Sequence, residues 1–256
     1  MKITIIQTNL IWENHQANLD MLSGKLELLE AGLDIIILPE MFATGFTMQP
    51  EKYAATMDGI EIQWMNEMAS KTGAVVCGSL SMVDGGRYFN RFVWAMPNGD
   101  IQSYDKRHLF SMGEENNHYS AGKEKVIIEH KGWRIRPIVC YDLRFPVWCR
   151  NVGDYDLLLC VANWPSVRSY PWRQLLIARA IENQCYVAAV NRVGADGNSM
   201  EHNGFSCVVS PKGEIIWEQG QGLETIGKIE IDLQTLLDFR KQFPVLSDAD
   251  SFEIKD

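Results

Sequence analysis

Apolar runs of strand length alternate with segments of helical period at the start of the chain, and this alternation limits the fold more than any other feature. An apolar run of four to eight residues is typical of a strand, whereas apolar residues three and four positions apart mark one face of a helix. The order predicts a β-α-β-α-β unit, made of KITIIQT (2–8), ANLDMLSGKLELLEAG (17–32), DIIILPE (34–40), EIQWMNEMASKTG (61–73) and AVVCGSLS (74–81).

The first helical segment and the strand after it indicate how this unit packs. Leu19, Leu22, Leu26 and Leu29 form a single apolar stripe, and Gly32 is expected near the C-cap of the helix. In the strand DIIIL (34–38) the four residues after Asp34 are apolar at consecutive positions, which is expected where both faces of a sheet are covered.

The middle and the end of the chain add hairpins to this pattern. Three pairs of strand-like runs flank turn residues: 87–96 with 101–106, 125–130 with 133–140, and 204–210 with 214–219. Between the last two pairs, 156–163, 172–184 and 185–193 restore the β-α-β order. Crossovers and hairpins covered by amphipathic helices predict layers of helix and sheet.

Composition predicts an ordinary soluble globule and excludes several partners. The 256 residues are 46% hydrophobic and 22% charged, and we expect one domain over 1–256. The formal net charge of -9 would repel nucleic acid and anionic membrane surfaces. The N-terminus lacks a signal-peptide pattern, and no apolar stretch approaches the length of a membrane span.

Six scattered cysteines indicate reduced thiols in a cytoplasmic protein rather than a disulfide framework. Together with the five histidines they form none of the usual zinc-ligand spacings, so we expect no metal. We also expect no cofactor.

Three polar residues stand where apolar strands end: Glu40, Lys106 and Cys140. Each has an ordinary interpretation, since strand cysteines are usually structural and Lys106 lies in a charged segment that is usually solvated. Glu40 is harder to explain, because a carboxylate directly after an apolar run is costly to desolvate unless it is paired or used. If the three ends are neighbours, the set suits amide cleavage, because a cysteine nucleophile needs a base and a cation stabilises an oxyanion.

Seven motifs then occur in the order found in the nitrilase, or carbon-nitrogen hydrolase, superfamily, which the chain resembles from its first strand to beyond residue 210. They are LPEMF, DKRHLF, ENNHYSAG, VCYDLRFP, ANWP, ARAIENQCYV and NRVGADGN. Within the superfamily, YDKRHLF and CYDLRFPVW look most like the bacterial omega-amidases.

The resemblance implies an α/β fold, the four-layer αββα sandwich, in which Glu40 is the general base, Lys106 holds the oxyanion and Cys140 is the nucleophile. It also implies a second glutamate seven residues before a glycine. Glu115 stands seven residues before Gly122, so Glu115 rather than Glu114 takes this part. Ala121 replaces the proline often found before that glycine, which leaves the conformation of the loop open. By the same analogy, the backbone N–H of Tyr141 is a second oxyanion donor.

For the substrate, the resemblance implies the terminal amide of a 2-oxo dicarboxylic monoamide such as 2-oxoglutaramate or 2-oxosuccinamate. Arg144, Arg168 and Arg192 are candidates for a carboxylate clamp, each equally suited to a structural ion pair. Phe46 and Trp164 are candidates for walls of the pocket or for core aromatics.

Other activities on the same scaffold remain open, namely hydrolysis of N-carbamoyl amines, of deaminated-peptide amides or of nitriles, as does a non-catalytic binding protein. The resemblance further implies a homodimer or higher homo-oligomer.

Overall fold

Fourteen strands form within residues 1–254, the part of the chain that the computed structural model describes. They are β1 (Lys2–Gln7), β2 (Ile35–Ile37), β3 (Val75–Asp84), β4 (Arg87–Ala95), β5 (Ile101–Asp105), β6 (Ile128–His130), β7 (Trp133–Val139), β8 (Leu157–Ala162), β9 (Tyr186–Asn191), β10 (Val193–Ala195), β11 (Glu201–Asn203), β12 (Ser206–Val209), β13 (Ile215–Gln219) and β14 (Thr225–Glu230).

The helices of the same part of the chain are α1 (His15–Glu27), α2 (Pro50–Tyr53), α3 (Ile60–Thr72), α4 (Glu115–His118), α5 (Pro146–Cys149), α6 (Ser169–Asn183) and α7 (Leu233–Gln242). Short 3-10 turns lie at Ser111–Gly113, Cys140–Arg144, Ser166–Arg168 and Val245–Asp248. None of the helices in residues 1–254 is long and apolar enough to cross a membrane.

The strands form two six-stranded sheets and one small hairpin within the described residues. The first sheet has the order β14-β1-β2-β3-β4-β5, and the second has the order β13-β12-β9-β8-β7-β6. Parallel pairing joins β1, β2 and β3 in the first sheet and β7, β8 and β9 in the second, whereas the flanking pairs are antiparallel. The three predicted hairpins are confirmed. Strand β14, helix α7 and the β10–β11 hairpin are elements that the sequence patterns did not predict.

Alternating side chains of the central strands divide the core into layers. Ile35 and Ile37 of β2 face the apolar layer between the two sheets, and Ile36 packs outward against α1 and α3. On the other side, α6 covers the outer face of the second sheet, where Trp172 and Leu176 pack against β8 and β9. The predicted αββα sandwich is therefore confirmed.

Helix α1 shows both a correct and an incorrect detail of the sequence interpretation. Asn14 caps its start by accepting a hydrogen bond from the Ala17 backbone N–H, and Leu19, Leu22 and Leu26 are buried as predicted. The expected end at Gly32 is wrong, because the helix ends at Glu27. Gly32 instead has φ +88 in the loop before β2, a left-handed conformation that glycine adopts without steric cost.

The topology brings several strand ends to one end of the sandwich. Strand β5 is antiparallel to β4, and β4 is antiparallel to β3, so β5 points in the same direction as β3. Because β3 is parallel to β2, strands β2 and β5 both finish at the same end of the first sheet. Glu40 follows β2 and Lys106 follows β5, while Cys140 follows β7 of the second sheet.

Candidate active site

Cys140 occupies a strained position at the end of β7. It opens the 3-10 turn Cys140–Arg144 with φ +45, in the left-handed region that costs a residue with a Cβ on the order of 1 kcal/mol or more. The residue is partly exposed and lines a cavity. Tyr141 is the second residue of this turn, a position whose backbone N–H has no acceptor inside the turn. The strand is therefore followed by two residues that line the cavity, a cysteine and a residue whose N–H has no acceptor inside the turn.

Lys106 lies fully buried between two carboxylates. Its Nζ is 3.0 Å from Glu40 Oε1 and 2.9 Å from Glu115 Oε2, and it lies 5.2 Å from the centre of the Phe46 ring. Burial alone would lower the pKa of Lys106, but the negative charges of Glu115 and Glu40 outweigh it and raise the pKa above its ordinary value. Lys106 is therefore a fixed cation.

Glu40 is held from both sheets. Oε1 accepts hydrogen bonds from Lys106 and from Asn90 Nδ2 at 2.7 Å, and Oε2 accepts one from the backbone N–H of Asn163 at 2.7 Å. Asn90 lies on β4 of the first sheet, whereas Asn163 directly follows β8 of the second. These donors fix the orientation of the carboxylate beside Cys140.

Glu115, at the start of α4, is the third member of the buried charge cluster. Its Oε2 accepts the backbone N–H of Phe110 at 2.6 Å, and its Oε1 accepts Asn90 Nδ2 at 3.1 Å. Burial and the charge of Glu40 raise the pKa of Glu115, although Lys106 opposes them. Glu114 is exposed, so the geometry favours Glu115 as the partner of Lys106.

Gly122 explains the spacing that singled out Glu115. Its N–H donates to the carbonyl of Lys106 at 2.8 Å, and a Cβ built at this position would lie 2.1 Å from the carbonyl oxygen of Asp105. Only glycine allows this close approach of two backbones. The preceding Ala121 is exposed, so the replaced proline lies on the outside of the loop.

A cavity of about 250 Å³ opens above Cys140. Phe46, Tyr141, Trp164 and Arg144 all line it. Glu40, Lys106 and Cys140 line it too, so these three meet the four binding candidates in one place, whereas Glu115 does not line the cavity and contacts Lys106 instead.

The three candidate arginines separate into two groups. Arg144 and Arg168 line the cavity, where their guanidinium carbons lie 4.8 Å from the Trp164 ring and 5.3 Å from the Phe110 ring. Neither forms an ion pair with any acid in residues 1–254. Arg192 instead lies buried, where it donates to the carbonyls of Leu10 and Ala195. Its place is structural.

The sequence interpretation missed Asn90, the backbone N–H of Asn163 and the hairpin residues that also line the cavity, namely Asp196, Asn198, Met200 and His202. Asn90 did leave a signal, because an amide in the middle of the apolar run RYFNRFVWAM is costly to bury without partners. A backbone donor leaves no such signal in a sequence.

The surroundings of Cys140 favour the neutral thiol. Burial raises the pKa of this thiol well above its ordinary value, the charge of Glu40 raises it further, and Lys106 opposes both. The other five cysteines are free and buried, as predicted. Nucleophilic use of Cys140 would therefore need a base at the moment of attack, and Glu40 is placed to be that base.

Comparison with known proteins gives a consistent result. Residues 2–241 match the carbon-nitrogen hydrolase family. The chain is 46% identical over 254 residues to omega-amidase YafV of Escherichia coli, covering 99% of this chain and 98% of that protein. It is 34% identical over 251 residues to the 2-oxoglutaramate amidase of Bacillus subtilis, covering 96% of each.

Among solved structures, a carbon-nitrogen hydrolase superfamily protein of Xanthomonas campestris superimposes with a TM-score of 0.97 at 44% identity. The match covers 100% of this chain and 99% of that one. That crystal structure carries an arsenic adduct in its active site.

We expect iodoacetamide to label one cysteine, Cys140, because the other five are buried. The raised thiol pKa predicts that the labelling rate climbs between about pH 6 and pH 10 without levelling near pH 8.5, the pKa of a free cysteine. Glu40→Gln removes a negative charge beside the sulfur and should move the curve to lower pH. Intact-mass spectrometry over a pH series measures this, with Cys140→Ala as the unlabelled control. A curve that levels below about pH 8 in the unaltered protein would contradict the assignment.

Proposed function

The chain belongs to the carbon-nitrogen hydrolase family, and from this premise we propose that it is an omega-amidase. It hydrolyses the terminal amide of 2-oxoglutaramate or 2-oxosuccinamate to the 2-oxo dicarboxylate and ammonia. The observation that carries the proposal is one cavity that holds Cys140 beside the Glu40 and Lys106 pair, together with two arginines that have no acid partner in residues 1–254.

The first step forms a bond between Cys140 Sγ and the amide carbon. Glu40 takes the thiol proton, which is necessary because the thiol pKa is raised. The carbonyl oxygen becomes an oxyanion, and the Lys106 ammonium and the backbone N–H of Tyr141 stabilise it. Lys106 is suited to this task because its cation is already fixed by two carboxylates.

The second step breaks the carbon-nitrogen bond. Glu40, now protonated, donates its proton to the departing nitrogen, ammonia leaves, and a thioester remains on Cys140. Glu40 then takes a proton from water as the water oxygen attacks the thioester carbon. The carbon–sulfur bond then breaks, the carboxylic acid is released, and Glu40 returns its proton to Cys140 Sγ, which restores the thiol. One carboxyl group thus serves as base, acid and base again before it gives the last proton back to the sulfur.

Glu115 and Asn90 assist without touching the substrate. Glu115 holds Lys106 Nζ with both of its oxygens, at 3.0 and 2.9 Å. The Asn90 amide donates to Glu40 and to Glu115, so the two carboxylates share one donor as well as one cation. These contacts keep the reacting oxygen of Glu40 aimed at the sulfur atom.

The far end of the substrate explains the free arginines. A 2-oxo dicarboxylic monoamide carries one carboxylate at the end opposite its amide, and a guanidinium group binds a carboxylate through two parallel hydrogen bonds. Arg144 and Arg168 supply this contact, while Phe46 and Trp164 form walls of the cavity. Stacking on aromatic rings holds both guanidinium groups in place without neutralising them.

Ammonia release from 2-oxoglutaramate tests the proposed function. We expect a kcat/KM of at least about 10⁴ M⁻¹s⁻¹, the lower end of the usual enzyme range. Cys140→Ala should abolish the activity, and Lys106→Met should lower it by about 100- to 1000-fold, the typical loss for one oxyanion donor.

A panel of N-carbamoyl amines, deaminated-peptide amides and nitriles separates the alternatives that use the same Glu, Lys and Cys. Activity on these compounds alone would contradict the omega-amidase assignment. Absence of any activity, with Cys140→Ala unchanged in every property but stability, would favour a non-catalytic binding protein.

Arg144 provides a test of substrate choice. Arg144→Met should raise KM for 2-oxoglutaramate by about 10- to 100-fold, because a hydrogen bond to a charged group contributes about 1.5–3 kcal/mol. The methyl ester of the same substrate lacks the carboxylate, so its KM should change far less. Steady-state kinetics of the variant with both compounds measures the difference. Equal losses for both would assign Arg144 to the structure of the pocket instead.

We further propose a homodimer in the cytoplasm, where the six cysteines that are free in the described residues stay reduced. Exposed apolar side chains such as Val147 and Phe243 give a second copy an apolar surface to bury. Light scattering at micromolar concentration should therefore report about twice the 29.1 kDa chain mass. A monomeric mass would contradict the dimer.

A further inference from the structure

We propose that Asp142 and His108 form a positioning pair, which holds the nucleophile Cys140 and the cation Lys106 at a fixed separation. The inference rests on the proposed function for the roles of those two residues. Asp142 lies two positions after Cys140, and His108 lies two positions after Lys106. A hydrogen bond between Asp142 and His108 therefore holds Cys140 and Lys106 at a fixed separation.

The Asp142 carboxylate is fully buried and receives four hydrogen bonds. Oδ2 accepts from the backbone N–H of Val139 at 3.0 Å and from the Tyr104 hydroxyl at 2.8 Å. Oδ1 accepts from the backbone N–H of His108 at 2.9 Å and pairs with His108 Nδ1 at 2.8 Å. Every contact comes from a donor, so an amide in place of the carboxylate could not satisfy all four.

These four bonds join the two sheets. Val139 ends β7 of the second sheet, whereas Tyr104 lies on β5 of the first sheet and His108 follows that strand. Lys106 and Cys140 thus come from different sheets, and a small slide of one sheet against the other would change the distance between them. Asp142 is a direct polar link that opposes such a slide next to the reacting atoms, in addition to the bond from the Asn163 N–H to Glu40.

The same carboxylate also supports the strained nucleophile. Cys140 adopts φ +45, and the bond from Val139 to Asp142 closes the turn around it. Left-handed residues with a Cβ persist only where their surroundings determine the conformation.

Two aromatic side chains hold the His108 ring in place. It stacks on Phe145 with ring centres 3.7 Å apart and an angle of 7°, and Trp148 packs edge-on at 5.9 Å. Phe145 directly follows the Cys140–Arg144 turn. The imidazole therefore contacts the turn both by a hydrogen bond to Asp142 and by stacking on Phe145. Its side chain is 23% exposed, so a substitution at this position is tolerable.

Two variants separate the hydrogen bond from the stacking. His108→Phe keeps an aromatic ring against Phe145 and removes the donor to Asp142. His108→Asn loses the ring and keeps an amide N–H donor close to the position of Nδ1. If the bond positions the nucleophile, His108→Phe should lower kcat for 2-oxoglutaramate by about 10- to 100-fold, because a misplacement of about 1 Å costs up to that much. KM should stay within about twofold, and His108→Asn should recover most of the lost kcat.

Alkylation of Cys140 by iodoacetamide supplies a readout that needs no amide substrate. We expect the labelling rate at fixed pH to change in His108→Phe and to return towards the original value in His108→Asn. If the unaltered protein hydrolyses no amide, the proposed function fails, yet the labelling rates still test the pair. Thermal melting curves of both variants verify that each is folded.

The opposite results are equally clear. Unchanged kcat and labelling in His108→Phe, or equal losses in both variants, would overturn the proposal and assign His108 to packing.

If His108→Phe does not fold, Tyr104→Phe removes one donor to the other oxygen of Asp142 without emptying space. Tyr104→Phe should lower kcat by a larger factor than it changes KM. An unchanged kcat in this variant would overturn the proposal.

Discussion

The buried cluster of Lys106 with Glu40 and Glu115 is the interaction on which the rest of the site depends. Two carboxylates face one ammonium, so their charges do not cancel. All three side chains have zero exposure, so water does not screen these charges. The cluster is stable only because Asn90, the Asn163 N–H and the Phe110 N–H supply further donors. Removing any of these donors leaves a buried carboxylate with fewer hydrogen bonds. The chemistry of the site and the folding of the surrounding loops therefore have the same requirements.

This cluster also explains why the site needs two sheets. Glu40 and Lys106 follow strands of the first sheet, whereas Cys140 and Asn163 follow strands of the second. A hydrogen bond from the Asn163 N–H to Glu40 connects the two sheets at this end of the sandwich. The apolar layer between the sheets is non-directional, so it fixes their distance better than their relative position along the strands. Hydrogen bonds at the strand ends are directional, so they fix the relative position of the two sheets along the strands.

The sequence predicted the layers because buried strands produce a strong pattern, and it marked Glu40, Lys106 and Cys140 as candidates whose catalytic roles the family resemblance supplied. Buried strands are apolar at consecutive positions, and Glu40, Lys106 and Cys140 interrupt such strands at their ends. Glu115 came from family spacing, since the four-residue helix α4 has no periodicity of its own. Strand β14 is half-buried and mixed in polarity, so the alternation that marks a sheet strand is weak there. The choice between Arg144 and Arg192 depends on tertiary contacts that a sequence does not display.

The β10–β11 hairpin belongs to neither large sheet, yet Asn198, Met200 and His202 place it in the wall of the cavity. Arg192 anchors the hairpin through the Ala195 carbonyl, away from the groups that react. Two kinds of evolutionary change are thereby separated. Under the proposed function, a substitution in the hairpin changes the wall of the cavity and leaves the bonds between Lys106, Glu40 and Glu115 intact. The choice of amide can then change while the groups that react stay in place.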